Sequence, residues 1–367
     1  MKIKVFHFIL DHRIGGPHIY VQRVARNLAP DVISTVVTVG LGPQTDVVLV
    51  NLRNKNRLFY PLAILINVFQ IFWCFRYRKS RHHVIFDVHG AANIAPLLAA
   101  RILKIPVVWH FHETVEKYRL LVAGGKILAS GLSHRIVVVA KKAAEVFGLS
   151  NTTFIPGAVS LDFWSSGKVQ PVQPKVVRPL RITCVANLNP LKGIDVLLSS
   201  LELVEKHCTL VIAGTYLETQ SGYAEALQEH AKRLRSSNRQ IVFAGWQSPE
   251  QLRDLLANTD IFVLPSRSEA CPLALLEAMA AGCVCIATDV GDVRDILEDS
   301  VSGIVLPSES PQALAKAIEQ VAEMSSAERQ RMGKIAQANI LSRYSLKVQA
   351  ERHLDIYKAL FHGDEGA

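Results

Sequence analysis

A chain of 367 residues is longer than one typical domain and suits two. Hydrophobic residues make up 49% and charged residues 20%, enough for a core in each half, which excludes general disorder. The formal charge of +9 is unevenly spread: residues 1–165 carry 20 Lys+Arg against 8 Asp+Glu, a net of +12, and the remainder 21 against 24, a net of −3. A basic first half suits an anionic partner. Its basic residues are scattered, not interleaved with aromatics, so no nucleic-acid signature emerges. An anionic membrane surface is preferred, with solvated lysines and arginines as the plainer alternative. The six cysteines show no C-x-x-C pair, which argues against a disulfide framework and for a reducing, cytoplasmic setting. Cys283 and Cys285 alternate along one apparent strand and read as core residues, not metal ligands.

The opening MKIKVFHFIL lacks the long apolar region and small-residue cleavage site of a signal peptide and is expected to be a buried strand. It runs into DHRIGGPHIYVQRVARNLA, where Gly15 and Gly16 precede an amphipathic helix. Backbone N–H groups at such a helix start can meet a phosphate, although the pattern is not G-x-G-x-x-G and also fits a plain strand-to-helix turn. The runs VISTVVTV, DVVLV, HVIFDV, PVVWHF and HRIVVV continue the first half as near-continuous apolar strands. Between them, LFYPLAILINVFQIFWCF at 58–75 is strongly apolar and is followed by RYRKSRHH. Pro61, Asn67 and Gln70 interrupt it, so a helix covering the first sheet is expected, ahead of one that touches a membrane and well ahead of a span. The proline-rich GKVQPVQPKVVRP at 167–179 reads as a linker, giving domains at 1–165 and 181–344 joined through 166–180.

In the second half the strand runs are LRITCVA, TLVIAG, QIVFAG, DIFVLP, CVCIAT and GIVLP, again alternating with helical patterns. Parallel sheets of this kind bind ligands beyond the carboxyl ends of their strands. After LRITCVA comes a polar loop with Asn187, Lys192 and Gly193; a lysine there is placed to pair with a diphosphate, or simply to sit in solvent. The most informative stretch is DIFVLPSRSEACPLALLEAMAAGCVCIATDVGDVRDILED. A strand ends at Pro265, a loop carries Glu269, and a helix opens near Leu273 and Ala274 with Glu277 one turn in. The helix start offers N–H groups to diphosphate oxygens. Glu277 can accept hydrogen bonds from a ribose diol, and Glu269 can hold sugar hydroxyls or stabilise positive charge at an anomeric carbon. The two glutamates would otherwise be a helix-dipole residue and a surface residue, which their apolar setting disfavours.

These residues resemble the E-x7-E region of retaining nucleotide-sugar glycosyltransferases of the GT-B fold, glycosyltransferase family 4. The resemblance extends over nearly the whole chain: the GG turn, IPVVWHFHE at 105–113, SHRIVVVAKKAAEVFG at 133–148, FIPGAVSLDFW, the Lys192–Gly193 loop, AGW at 244–246, and the helix after Arg343–Tyr344. It implies an α/β fold of two Rossmann-like, doubly wound parallel-sheet domains facing across a cleft, with the C-terminal helix at 345–363 crossing back onto the first. It implies that Gly16 lets backbone approach the donor phosphates, that His112 contacts the donor sugar, and that Lys192 neutralises the departing diphosphate. Glu269 would hold the sugar, Glu277 the ribose, and the backbone around Gly245–Trp246 would border the base. His110 alternates with His112 on one strand face, and one of the pair is expected to be a buried, hydrogen-bonded histidine. Two departures stand out: Asn187 where the family often has arginine, and Ala270-Cys271-Pro272 where it often has G-F-G.

The expected activity is retaining transfer of a sugar from a nucleotide diphosphate donor to a membrane-associated, lipid-linked glycan acceptor in cell-surface polysaccharide synthesis. The protein would work at the inner face of the membrane. No D-x-D is present, so no metal and no cofactor are expected. The rival readings are a nucleotide-sugar epimerase of the same fold and a non-catalytic, membrane-associated member. An NAD-dependent dehydrogenase is a poor fourth without the fingerprint glycines.

Overall fold

Runs rich in Val and Ile leave no polar face for solvent, so they pair side by side beneath helices. In the computed structural model, which describes residues 3–9, 16–28, 32–39, 47–49, 60–76, 83–112, 131–141, 144–145, 151–167, 178–236 and 238–362, they form two parallel sheets. Gly15 and the linker residues 168–177 lie outside the described residues. The chain divides into a first unit, Met1–Ala158 with Leu346–Ala367, and a second, Val159–Ser345.

The first unit holds β1 (Ile3–Ile9), α1 (Gly16–Asn27), β2 (Val32–Val39), β3 (Val47–Leu49), α2 (Tyr60–Phe75), β4 (Val84–His89), α3 (Ile94–Leu103), β5 (Val107–Phe111), β6 (Arg135–Val138) and β7 (Thr152–Phe154). Its sheet runs β3-β2-β1-β4-β5-β6-β7, so the winding reverses between β1 and β4. Phe6, Phe8 and Phe86 pack on one face, with Phe75 of α2 edge-on to Phe6 and Phe86. Every apolar run read as a strand is one. Strand β7 escaped notice because Thr-Thr-Phe is short and carries no apolar period; it is held by its pairing with Ile136–Val138 of β6.

The second unit holds α4 (Leu161–Ser165), β8 (Leu180–Val185), α5 (Ile194–Leu201), β9 (Cys208–Ala213), α6 (Ser221–Leu234), β10 (Arg239–Gly245), α7 (Pro249–Ala257), β11 (Ile261–Leu264), α8 (Leu273–Ala280), β12 (Val284–Thr288), α9 (Val293–Ile296), β13 (Gly303–Leu306), α10 (Pro311–Glu323) and α11 (Ser326–Arg343). Its sheet runs β10-β9-β8-β11-β12-β13, reversing between β8 and β11. Cys283 and Cys285 are buried free thiols in this core, and burial pushes the Cys283 thiol up to about 12.

The first domain was expected to run to 165, but the described structure ends its contiguous stretch at Ala158. Val159 and Trp164 are buried in the second unit's core with Leu256 and Leu276. Gly167 packs so closely on α7 that a Cβ there would sit 2.5 Å from that of Ala257. Helix α12 (Leu346–His362) belongs to the first unit, where His353 and Tyr357 are fully buried.

Candidate functional site

The winding reversal of the second sheet puts the loops after β8 and β11 next to each other, and parallel sheets leave a crevice at such a point. The loop after β8 carries the turn Pro190–Lys192, which Asn189 starts by accepting the Leu191 N–H. Gly193 follows at φ +60, and a Cβ there would lie 2.0 Å from the Pro265 carbonyl oxygen. Only glycine allows this approach, and it presses the lysine loop against the end of β11.

Lys192 Nζ consequently donates to Glu269 Oε1 at 2.7 Å, and Ser266 Oγ donates to the same oxygen at 2.7 Å. Ser266 is fully buried, and its carbonyl accepts from Thr288 Oγ1. From behind, Gly291 adopts φ +55 with its Cα against the Glu269 backbone, where a Cβ would lie 2.2 Å from the Glu269 carbonyl oxygen. The Asp292 N–H donates to the Ala270 carbonyl at 3.1 Å. Glu269 is thereby held by the strand end below, the lysine loop beside it and the turn after β12.

Arg267 does more than sequence reasoning assigned it. Its N–H donates to the Leu191 carbonyl at 2.8 Å, and its guanidinium donates to Pro190 O, to both Asp195 oxygens and to Glu309. This ties the glutamate loop to the lysine loop and to α5. Burial would raise the Asp195 carboxyl, but hydrogen bonds from Arg267 and Tyr223 hold it below its usual range. Arg267 in S-R-S-E was visible as a loop arginine, and Gly291 as the glycine of D-V-G after a strand. Neither partner was.

Helix α8 starts after Pro272, whose carbonyl accepts from Leu275 and Leu276, so the N–H groups of Leu273 and Ala274 precede the first intrahelical bond. Pro272 sits at the cap, where its missing N–H costs nothing. Glu277, one turn in, is 7% exposed. Asn187 is exposed in the loop after β8. Gly245 ends β10 at φ +67 with open space where a Cβ would stand, and Trp246 is 59% exposed. The ends of β10 and β8 are two strand spacings apart, roughly 10 Å. Lys192 and Glu269 are thus in direct contact, with Leu273, Ala274, Glu277, Asn187, Gly245 and Trp246 all at the carboxyl ends of the same sheet.

Two cavities, of about 290 and 830 Å³, share Arg178, Arg181, Asn258 and Thr259. They sit at the amino end of β11, where Asp260 is already satisfied by a bidentate pair from Arg178 and by the Arg181 N–H. The Lys192–Glu269 pair lies at the opposite, carboxyl end of the strands.

In the first unit, period-two alternation puts His7 of β1, Asp87 and His89 of β4, and His110 of β5 on one sheet face. Asp87 is fully buried and contacts His7 Nδ1 at 2.9 Å, His110 Nε2, and the Tyr357 hydroxyl of α12 at 2.6 Å. Burial would raise its carboxyl, but the fields of His110 and His89 and hydrogen bonds from His110 and His7 hold it well below the carboxylate range. Burial lowers His89 to about 3 and His353 to about 4, and pushes His112 well down, so these rings are neutral. His89 Nδ1 lies 3.0 Å from His112 Nε2, and the Tyr20 ring of α1 packs edge-on to His112. Fully buried His110 anchors to Asp87, while His112 is only partly buried just past β5. Gly16 opens α1 with nothing within 4 Å of a Cβ position.

Among the described residues, His89, His110 and His112, and also His7, Asp87 and His89, hold nitrogen or oxygen atoms within 4.8 Å of one another, close enough for a metal ion. The His–Asp and His–His contacts account for much of the same ligand set without one.

The described architecture is that of the two-sheet GT-B glycosyltransferases, and residues 168–339 match the family model described as glycosyl transferases group 1. That match falls within the second unit, to which the likeness applies. The chain is 28% identical over 146 residues to the amylovoran biosynthesis glycosyltransferase AmsK of Erwinia amylovora, covering 38% of this chain and 35% of AmsK. It is 25% identical over 326 residues to the alpha-D-kanosaminyltransferase of Streptomyces kanamyceticus, covering 79% and 82% of the two chains. Two other curated relatives, a glycogen synthase and an archaeal glycosyltransferase, are matched over 39% and 44% of their length. Anabaena HepE, solved with UDP and glucose, superposes with a TM-score of 0.81 at 17% identity, covering 97% of this chain and all of HepE, a likeness of fold.

Proposed function

We propose that this protein is a retaining glycosyltransferase that uses a nucleotide diphosphate sugar and a membrane-associated, lipid-linked glycan acceptor in cell-surface polysaccharide synthesis. The observation that carries the reading is the Lys192–Glu269 contact at the winding reversal, beside the opening N–H groups of α8. Lys192 and the Leu273 and Ala274 N–H groups would bind the diphosphate, Glu269 the sugar, Glu277 the ribose, with Asn187, Gly245 and Trp246 bordering the nucleotide. AmsK is named for amylovoran biosynthesis and HepE was solved with UDP, which supports a polysaccharide role and a nucleotide sugar donor.

In the reaction, the acceptor oxygen forms a bond to the anomeric carbon as the bond to the diphosphate oxygen breaks on the same face. The departing phosphate takes the acceptor proton. Lys192 offsets negative charge growing on the leaving group, and until donor binds, Glu269 keeps that ammonium oriented. In the first unit, the His112 imidazole, neutral and partly buried, is proposed to serve the reacting sugar, and Gly16 the approach of backbone to phosphate. Transfer proceeds without a divalent metal, and the basic first half meets an anionic membrane surface at its cytoplasmic side.

Thermal shift against UDP-, GDP- and ADP-sugars, followed by product analysis, tests this. A bound donor raises the melting temperature by mass action. Transfer to an acceptor extract with the anomeric configuration retained supports the reading. An epimerised sugar formed from donor alone would instead make the protein an epimerase, and no donor binding at all would leave a non-catalytic member.

A further inference from the structure

Helix α2 was expected to cover the first sheet, and one stripe of it does. Ala63, Asn67, Ile71 and Phe75, spaced every four residues, are buried. A covering helix then carries polar residues on its outer face. Here that face is Leu62, Leu65, Ile66, Phe69 and Trp73, with Leu65 64% and Phe69 62% exposed. Phe69 and Trp73 stack with ring centroids 5.8 Å apart, and the Arg76 guanidinium lies over Trp73.

The charge around this helix is one-sided. Between Asp46 and Asp87 the sequence has Arg53, Lys55 and Arg57 before the helix and Arg76, Arg78, Lys79 and Arg81 after its last turn, with no carboxylate. Sixteen residues make a helix about 24 Å long, and among the described residues no helix is long and apolar enough to cross a membrane.

We propose that α2 lies in the plane of a bilayer, its Leu62–Trp73 face inserted at the headgroup boundary, the positive charge of the surrounding sequence favouring anionic lipid. Leucine and aromatic residues on one face, an interfacial tryptophan, and Lys/Arg at the flanks are what such a helix requires. A second copy of the chain fits poorly, because two such faces would bring like-charged basic segments together. The proposal deepens the membrane-held acceptor suggested above by naming the surface that reaches the bilayer. It is measured without donor or acceptor, so a failed transfer assay leaves it standing, and its own failure leaves the transfer chemistry standing.

The test is co-sedimentation of the full chain with phosphatidylcholine vesicles, plain or with roughly a third phosphatidylglycerol. Expected is partitioning onto the anionic vesicles, lowered tenfold or more by Phe69→Glu with Trp73→Glu. Arg78→Gln with Lys79→Gln and Arg81→Gln should lower it by on the order of fivefold per residue, as should added salt. Both variants should keep the wild-type melting temperature, since they alter exposed apolar positions and a flanking basic segment. Three results overturn the proposal: no binding to either vesicle, unchanged binding of the Phe69/Trp73 variant, or a solution dimer that the same substitutions dissociate. If the Phe69/Trp73 variant is misfolded, Leu65→Gln with Phe69→Gln replaces it, with the same expected loss.

Discussion

Lys192 and Glu269, 77 positions apart, meet at 2.7 Å because Gly193 brings its Cα against the end of β11. The side chains are 27% and 11% exposed, so the pair is neither a screened surface bridge nor a sealed one. Under the proposed function, this ammonium exchanges its carboxylate partner for a phosphate of the donor.

The first prediction follows from that exchange. Lys192→Ala should lower kcat/KM by about 10²–10³, the usual cost of losing one charge-stabilising group. It should also shrink the thermal shift given by the nucleoside diphosphate alone. Glu269→Gln should lower sugar transfer while leaving that nucleoside diphosphate shift largely intact. If steady-state rates are unchanged in both variants, the site is wrongly placed.

Arg267 is expected to matter without touching donor. Arg267→Ala removes its bonds to Asp195, Glu309 and Pro190, and should destabilise by about 1–3 kcal/mol by thermal unfolding. KM for the donor should rise more than kcat falls, because the lysine loop loses its tether. Lys at this position should restore little, since a point charge cannot replace a bidentate fork.

Three glycines give opposed outcomes. Gly193→Ala and Gly291→Ala each place a Cβ on backbone oxygen at a positive φ, and each should cost about 2 kcal/mol or more. Gly16→Ala meets nothing within 4 Å, so it should leave the melting temperature unchanged, and any lost activity would report on ligand approach.

Acid should destabilise the first unit through its buried histidines. His89 and His353 lie at about 3 and 4 in the folded chain against an ordinary 6.5. The unfolded chain therefore takes up protons first as pH falls below 6.5. Stability from these groups is complete above that value and is lost progressively toward pH 3, on the order of several kcal/mol in sum. Melting curves between about pH 7.5 and 5 check the sign. Tyr357→Phe, which removes a 2.6 Å bond to Asp87, should cost about 1.5–3 kcal/mol at neutral pH.

A chelator should leave transfer unaffected if His89, His110 and His112 are bound only to one another and to Asp87. Stimulation by manganese, reversed by chelation, would instead point to the metal-sized groupings in the first unit.

What the sequence determined by itself is local. Near-continuous Val/Ile runs read as buried parallel strands, and a strand ending in P-S-R-S-E before an apolar helix reads as a loop at a carboxyl end, so the places of Glu269, Leu273 and Glu277 in the fold were legible. So was the lysine loop, because it follows a strand in the same way. Tertiary structure decided everything that depends on distant neighbours. It showed that Arg267 clasps Asp195, that Gly291 supports Glu269 from behind, and that Tyr357 reaches Asp87 across 270 positions. It also assigned Val159 and Trp164 to the second core. Helix α2 illustrates the reason. Being apolar on every side, it has no period to say which face is covered, and only the packing of Phe75 on Phe6 and Phe86 shows that Phe69 and Trp73 are left outside. Periodicity reports what a residue prefers, whereas coverage depends on what the rest of the chain brings to it.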